Sequence, residues 1–105
     1  MSLHIRNATK QDLKQVSQID SQLFGADAYP QFVLRQLLDI CGSLFKVAAV
    51  GDDLIGYAIV HYNAEDKIAW FLSLAVLSAH QGKGTGEGLL NTLLSEVKAK
   101  GAKEV

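Results

Sequence analysis

The chain has 105 residues, of which 49% are apolar and 20% are charged, a mixture typical of a globular domain rather than a disordered or fibrous one. Ten basic and eleven acidic side chains leave a net charge of −1, so no basic excess indicates a nucleic-acid partner. No apolar run approaches the roughly 18 residues of a membrane span, and the N-terminus lacks the apolar region of a signal peptide. We therefore expect one small cytoplasmic domain over residues 1–105, with neither a nucleic acid nor a membrane as its partner.

Cysteine and histidine are too few for a disulfide or a metal site. Cys41 is the one cysteine, and His4, His61 and His80 are too widely spread for a zinc-ligand pattern. We expect no metal, and we interpret Cys41 as a core residue at the end of a helix.

The first predicted elements are a strand and a helix. The stretch HIRNA is a short strand candidate, and Thr9 and Asp12 have the spacing of a capping box. Apolar residues at helical spacing then predict a helix over residues 10–24, ended by Gly25. These residues are Leu13, Val16, Ile19 and Leu23.

A second helix is predicted within YPQFVLRQLLDICG. Pro30 is suited to the first helical position, and Gly42 stands where a helix would end. One apolar stripe supports the assignment, formed by Val33, Leu34, Leu37 and Leu38.

The apolar period then changes from about 3.6 residues to 2, which predicts three strands. They cover residues 43–50, 54–62 and 68–76, and short polar turns join them into an antiparallel meander. The last of these, IAWFLSLAV, is apolar on both faces, so we expect it to be central and covered on each side.

A glycine-rich turn precedes a third predicted helix. In HQGKGTGEGLL, glycine occupies every second position, from Gly82 to Gly88. The first N–H groups of a helix have no internal partners and carry the positive end of the helix dipole, so this turn predicts an anion site. The spacing matches neither the dinucleotide fingerprint nor the P-loop.

The third helix is ended by Gly101, and AKEV after it begins a further strand candidate. Its apolar face consists of Leu89, Leu90, Leu93, Leu94 and Val97. The predicted order is β-α-α-β-β-β-α-β.

The stretch SLAVLSAHQGKGTGEGLLNTLL resembles the acetyl-CoA-binding signature of the GNAT superfamily of N-acetyltransferases. In that signature a strand ending in L-A-V is followed by a short loop, [RQ]-x-x-G-x-[GA] and a leucine pair. Gln81, Gly84 and Gly86 occupy the defining positions, and Leu89 and Leu90 are the leucine pair. The predicted element order resembles this family along the whole chain, and RNATKQDLKQVSQID is most similar to enzymes that acetylate protein N-termini.

The resemblance implies an α/β fold of the α+β type with a mostly antiparallel sheet. Domains of this family usually continue through a full fifth strand, another helix and two more strands. The chain is therefore expected to be truncated at its fifth strand, with about a third of the domain absent. The tyrosine that protonates the departing CoA thiolate would lie beyond Val105, so the catalytic residues are unknown.

The resemblance also implies how acetyl-CoA is held as cosubstrate. Main-chain N–H groups of the turn would wrap the CoA pyrophosphate, at Gln81, Gly82, Lys83, Gly84, Thr85 and Gly86. The pantetheine arm would pair with the fourth strand as an added strand, at Leu74, Ala75 and Val76. Lys83 is a further candidate for the phosphates, whereas Lys98 and Lys100 are interpreted as a solvated helix face.

The implied reaction is transfer of an acetyl group to a primary amine of a protein N-terminus, a lysine or a small molecule. The amine would enter near Phe24, Tyr29 and Phe32. His61 is a candidate base, although a half-exposed strand residue is the favoured interpretation. Tyr57 and Tyr62 are interpreted as packing residues.

Two alternatives stay open at this point. Beside the N-acetyltransferase, one alternative is a module that binds acyl-CoA without turning it over, and the other is an incomplete domain completed by self-association. Its unfinished fifth strand would leave an unpaired sheet edge, and such an edge favours a homo-oligomer.

Overall fold

The protein is described by a computed structural model over residues 3–105, in which a four-stranded sheet carries helices on both faces. The strands are β1 (Leu3–Asn7), β2 (Phe45–Val50), β3 (Asp53–Asn63) and β4 (Ile68–Val76). They follow one another in the order β1-β2-β3-β4, and every neighbouring pair is antiparallel. The helices are α1 (Leu13–Phe24), α2 (Gln31–Cys41) and α3 (Thr85–Ala99).

The two faces of the sheet can be assigned from neighbouring residues of β2. Successive side chains of a strand point to opposite faces. Lys46 bonds to Glu96 of α3, whereas Tyr57, the β3 partner of Val47, bonds to Asp20 of α1. Helix α3 therefore covers one face, and α1 with α2 covers the other. The largest fully buried side chains include Val16, Leu34, Phe45, Tyr57, Ile59, Leu89 and Leu93.

The predicted element order is confirmed by the structure from β1 to α3, and the last predicted strand is present only as one bridge at Glu104. The first helix begins with a 3-10 turn at Lys10–Asp12 before α1, and α2 starts directly after Pro30. As predicted, Gly25 and Gly42 end α1 and α2. Both glycines have positive φ angles. None of the helices described over residues 3–105 is long and apolar enough to cross a bilayer.

The prediction that residues 68–76 form a central strand is wrong for the described residues. β4 is the edge of the sheet, and Trp70 is 59% exposed. A strand beyond β4 is only begun, because one parallel bridge joins Ile68 to Glu104. From Trp70 onward, no main-chain group within residues 3–105 pairs with the outer edge of β4. The apolar side chains on both faces therefore predicted the strand β4 correctly, but they did not indicate how many strands pair with it.

A bulge interrupts the pairing of β4 with β3. Ile59 pairs with Ser73 while Val60 pairs with Phe71, so Leu72 is an extra residue on β4. The carbonyl oxygen of Leu72 accepts a hydrogen bond of 3.1 Å from the Tyr29 hydroxyl. The bulge is thereby fixed to the connection between α1 and α2.

The start of the first helix is held by a carboxylate with several partners. Both guanidinium nitrogens of Arg6 contact Asp12, at 2.7 and 2.9 Å, and the Thr9 N–H donates to it at 2.8 Å. This confirms the capping-box acid. The Arg6 hydrogen bonds are the main reason that the pKa of Asp12 lies below its ordinary value.

We expect Asp12→Asn to lower the free energy of unfolding at pH 7 by about 1–2 kcal/mol, because the ion pair with Arg6 is lost and the Thr9 N–H then donates to a neutral amide oxygen. Since the folded-state pKa of Asp12 is depressed, this stabilisation is complete above the unfolded pKa of about 4 and is lost as the pH falls through the folded pKa. Urea denaturation at pH 7 and pH 3 checks the effect. Asp39→Asn, which removes an exposed pair with Arg35, is the control and should change stability by less than about 0.5 kcal/mol. A difference for Asp12→Asn that persists unchanged at pH 3 would contradict the assignment.

Candidate functional site

The loop between β4 and α3 requires glycine at two positions. Gly82 and Gly84 have φ angles of +79° and +82°, a region that residues with a Cβ atom rarely adopt. A Cβ atom at either position would meet no protein atom within 4 Å. The backbone angles, and not crowding, therefore require these two glycines.

Six consecutive N–H groups at this loop donate to no acceptor within residues 3–105. They run from Gly82 to Glu87, and the first helical bond is the one from the Gly88 N–H to the Gly84 carbonyl, at 2.9 Å. Helix α3 adds roughly half a positive charge at this end. The open space above Gly82 and Gly84 thus faces a set of unpaired donors, as an anion site requires.

The other two glycines of the turn lie against the sheet, and only Gly88 is tightly packed there. A Cβ atom on Gly86 would lie 3.7 Å from Val76 Cγ2, and one on Gly88 would lie 3.1 Å from Ile5 Cδ1. The first turn of α3 therefore lies directly on the sheet, and the alternating glycines divide into two pairs with different roles.

Gln81 joins the loop to the end of β4. Its Nε2 atom donates to the Val76 carbonyl oxygen at 2.9 Å. Its own N–H donates to the Ser78 carbonyl at 3.3 Å. Gln81 thus fixes the direction in which the chain leaves the strand.

The outer edge of β4 presents the backbone of Leu74 and Val76. The Leu77 N–H donates to the Ile55 carbonyl of β3 at 2.8 Å. Because residues alternate in direction along a strand, Ala75 faces β3 as well, while Leu74 and Val76 face outward. The Ala75 carbonyl oxygen would lie 2.8 Å from a Cβ atom on Gly56, which explains why β3 has glycine there.

The lysines of the region lie at different distances from the loop. Lys83 is exposed and lines a cavity of about 270 Å³ together with His80 and Thr85. Lys98 and Lys100 lie at the other end of α3, roughly 20 Å away at 1.5 Å per residue. Of the three, Lys83 alone can reach an anion at the loop.

A second cavity, of about 230 Å³, lies beside the outer edge of β4. It is lined by the carboxylates Asp20 and Asp27, the aromatic residues Phe24 and Tyr29, and β4 residues 72–74. We call it the edge cavity. Of the three residues named for entry of the amine, Phe24 and Tyr29 line this cavity, whereas Phe32 is 67% exposed on α2 and does not.

Sequence reasoning missed Asp20, which is 1% exposed. Its carboxylate accepts the Tyr29 N–H at 2.6 Å and the Tyr57 hydroxyl. The Tyr57 hydroxyl also lies 2.8 Å from Ser73 Oγ. Burial, followed by the bond to Asp20, raises the pKa of Tyr57 well above its ordinary value, so this hydroxyl stays protonated. A signal existed, because Asp20 follows Val16 by four residues and therefore lies on the apolar stripe of α1.

His61 and Tyr62 do not line the edge cavity. His61 lines a separate apolar cavity of about 250 Å³ with Cys41 and Trp70, and the Tyr62 hydroxyl donates to the Lys100 carbonyl at 3.3 Å. Tyr57 packs on Phe45, which agrees with its interpretation as a packing residue. Its hydroxyl also contacts Asp20 and Ser73. In residues 3–105, no group of three or more His, Cys, Asp or Glu side chains could hold a metal ion.

The chain belongs to the GNAT family of acetyltransferases. A sequence model of that family, described as acetyltransferase (GNAT) family, matches residues 12–105. The family membership defines the general reaction as acyl transfer from acetyl-CoA.

Solved structures share the fold at low sequence identity. Ard1 from Thermoplasma volcanium matches with a TM-score of 0.87 and 22% identity, over 97% of this chain and 68% of that one. Naa50 from Arabidopsis thaliana, in complex with the bisubstrate analogue CoA-Ac-MVNAL, matches with a TM-score of 0.82 and 20% identity, over 96% and 68%. A GNAT family acetyltransferase from Brucella melitensis, in complex with acetyl-CoA, matches with a TM-score of 0.79 and 22% identity, over 97% and 72%.

This chain therefore spans about two thirds of the length of the Ard1 and Naa50 chains. No curated protein sequence matches it significantly.

The two kinds of glycine at the loop should respond oppositely to alanine. We expect Gly84→Ala to lower the free energy of unfolding by about 1–2 kcal/mol, because of the left-handed backbone. Gly86→Ala should be neutral or raise it by up to about 1 kcal/mol, since a helical position gains a better helix former and 3.7 Å is an ordinary contact. Urea denaturation of both variants checks the pair. Equal destabilisation would contradict the division of roles.

Proposed function

We propose that the chain forms the acetyl-CoA-binding part of an N-acetyltransferase that acetylates a primary amine. The observation that carries the proposal is the junction of two sets of unpaired backbone groups, at the start of α3 and along the outer edge of β4. A diphosphate with a linear amide-bearing arm is complementary to this junction. Family membership supports the same reaction class.

In this proposal the loop binds the diphosphate and β4 aligns the arm. Unpaired N–H groups from Gly82 to Gly86 would donate to the phosphate oxygens, and Lys83 would contribute charge. Gln81 would hold the loop in place through Val76. The backbone groups of Leu74 and Val76 would pair with the arm. The backbone of Ala75 faces β3 and would keep Leu74 and Val76 in register with the arm.

In the proposed reaction, the cosubstrate and the chain have different roles. Bound acetyl-CoA would supply the activated acetyl group. An outward N–H of β4 would donate to the thioester carbonyl oxygen, where negative charge develops during attack. The amine would approach from the edge cavity, lose a proton to a base or to water, and attack the thioester carbon. The new amide bond would form as the C–S bond breaks, and CoA would leave as its thiolate. A protein N-terminus, a lysine and a small-molecule amine are the acceptor classes, and the peptide portion of the analogue in Naa50 favours the first.

A cytoplasmic location agrees with the chemistry of the one cysteine. Cys41 is free and buried, and burial raises the pKa of its thiol. A buried thiol of this kind is inert and is typical of proteins in reducing compartments.

A non-catalytic module or a self-associating domain is the second candidate. Self-association is favoured by the unpaired outer edge of β4, because such an edge can pair with another copy of the chain. The exposed Trp70 beside this edge favours it as well.

Calorimetric titration with CoA tests the binding proposal. We expect wild-type protein to bind CoA and Gly84→Asp to lose at least about tenfold in affinity, because a carboxylate would face the phosphates. Gly84→Asn is the matched control, since Asn also tolerates the left-handed backbone but carries no charge, and it should retain more of the affinity. Absence of any CoA binding by folded wild-type protein would refute the proposal.

Turnover separates the two candidates. For an acetyltransferase, we expect release of the CoA thiol from acetyl-CoA to depend on an added amine, measured with a panel that includes peptides, lysine and free amino acids. Binding of CoA without amine-dependent thiol release would favour the module. Sedimentation velocity at several protein concentrations then tests self-association, which a monomer at all of them would exclude.

A further inference from the structure

The apolar cavity of about 250 Å³ that His61 lines lies between α2 and the first half of β4. Its other lining residues are Leu37, Ile40, Cys41, Trp70 and Leu72. Within the part of the chain that the structure describes, no carboxylate, lysine or arginine lines it. We call this space the apolar cavity. Transfer of hydrocarbon from water onto such a surface is favourable, so the lining suits a hydrocarbon and not an ion.

Leu72 lines both the apolar cavity and the edge cavity. Successive side chains of a strand normally point to opposite faces, but the bulge inserts Leu72 as an extra residue beside Ser73. These two consecutive residues therefore both line the edge cavity. Trp70, two residues earlier, lines the apolar cavity and not the edge cavity. The two cavities are thus neighbours along β4, and they meet at the bulge.

The direction of a CoA arm on β4 follows from the position of the loop. The unpaired donors from Gly82 to Glu87 come after the end of β4, so an arm that begins there runs from Val76 toward Leu74. The thioester is at the far end of the arm and would lie near the bulge at Leu72. A longer acyl group would then continue toward Trp70, which is about 7 Å farther along the strand. The arm therefore leads from the loop to the apolar cavity.

We propose that the apolar cavity receives an acyl group longer than acetyl, and that the acyl donor of this protein is a medium-chain acyl-CoA. The inference rests on the proposed function, because the loop and the outer edge of β4 define where the thioester lies. The transfer balances as it does for acetyl. The amine nitrogen bonds to the thioester carbon, the C–S bond breaks, CoA leaves as its thiolate, and the amine proton passes to a base or to water.

The size of the apolar cavity indicates the length of the acyl group. A closed apolar cavity of about 150 Å³ holds one benzene molecule, so 250 Å³ corresponds to roughly ten carbon atoms if fully enclosed. Ile40 and Trp70 are 65% and 59% exposed, so the cavity is open to water on one side. We therefore expect an acyl group of about six to eight carbons to fill its covered part.

Charge favours the apolar cavity over the edge cavity as the place for hydrocarbon. The edge cavity contains the carboxylates of Asp20 and Asp27. Hydrocarbon placed there would displace water from charged groups, which is costly. In the apolar cavity it would cover the side chains of Leu37, Ile40 and Trp70 instead. An acyl group that reaches Leu72 therefore gains more from the apolar cavity.

Calorimetric titration with CoA and with its acetyl, butyryl, hexanoyl, octanoyl and decanoyl thioesters tests the inference. A fully buried methylene contributes up to about fourfold in affinity, so we expect hexanoyl-CoA to bind at least about tenfold more tightly than acetyl-CoA. The gain should level off from about eight carbons on, where added methylenes reach water. Free hexanoate should not bind measurably, because only the arm brings the acyl group to the cavity at high effective concentration. Amine-dependent thiol release should show the same preference in kcat/KM.

Two exposed residues of α2 provide a matched pair of variants. Ile40 lines the apolar cavity and Phe32 does not, and their exposed fractions are 65% and 67%. We expect Ile40→Asp to remove most of the gain of hexanoyl-CoA and to change the affinity for acetyl-CoA less than about twofold, because a carboxylate holds water in the cavity. Phe32→Asp is the control and should leave both affinities unchanged. Trp70→Ser should also reduce the gain, and it keeps the test valid if Ile40→Asp unfolds.

Each contrary result has its own meaning. Equal affinities of acetyl-CoA and hexanoyl-CoA overturn the inference and leave the proposed function intact. If sedimentation velocity then shows a dimer that Ile40→Asp dissociates, the occupant is a second copy of the chain. A full gain in both Ile40→Asp and Trp70→Ser overturns the assignment of the cavity. Free hexanoate that binds as tightly as hexanoyl-CoA contradicts the link to the acyl donor. Failure of CoA and acetyl-CoA to bind folded protein refutes the proposed function itself.

Discussion

Unpaired backbone is the constraint on which the rest of this structure depends. Main-chain N–H and C=O groups normally have hydrogen-bond partners in a folded protein. Here two neighbouring segments have main-chain groups without such partners. The N–H groups from Gly82 to Glu87 and the outer edge of β4 meet where Gln81 joins the loop to Val76. Positive φ angles at Gly82 and Gly84 create the first set, and the edge position of β4 creates the second. The site is thus built mainly from main chain, which explains its demand for glycine rather than for charged side chains.

The face of the sheet that α1 and α2 cover is organised by hydrogen bonds to one buried carboxylate, that of Asp20. Asp20 brings the connection after α1, strand β3 and strand β4 to one point through Tyr29, Tyr57 and Ser73. A buried carboxylate is costly unless its oxygens are occupied, and both are. Asp20, Tyr29 and Ser73, which make these hydrogen bonds, also line the edge cavity.

Much of the fold could be predicted because local patterns decide it. The helical spacing of apolar residues predicted α1 and α3, and the capping box predicted where the first helix starts. Gly84 indicated the loop between β4 and α3. The number of neighbours of β4 could not be predicted, since apolar faces report packing by helices and not pairing at the strand edge. The bulge at Leu72 leaves no compositional trace. Asp20 was missed because a periodic pattern assigns charged residues to the solvent side, although its spacing from Val16 indicated otherwise.

The close contact of α3 with the sheet has a consequence for association kinetics. A Cβ atom on Gly88 would lie only 3.1 Å from Ile5 Cδ1, and Lys46 ties β2 to Glu96 farther along the same helix. The donors of the first turn of α3 are therefore carried by a helix that is packed against the sheet. An incoming anion would find these donors already oriented, so its capture would be limited by encounter and dehydration rather than by a conformational rearrangement.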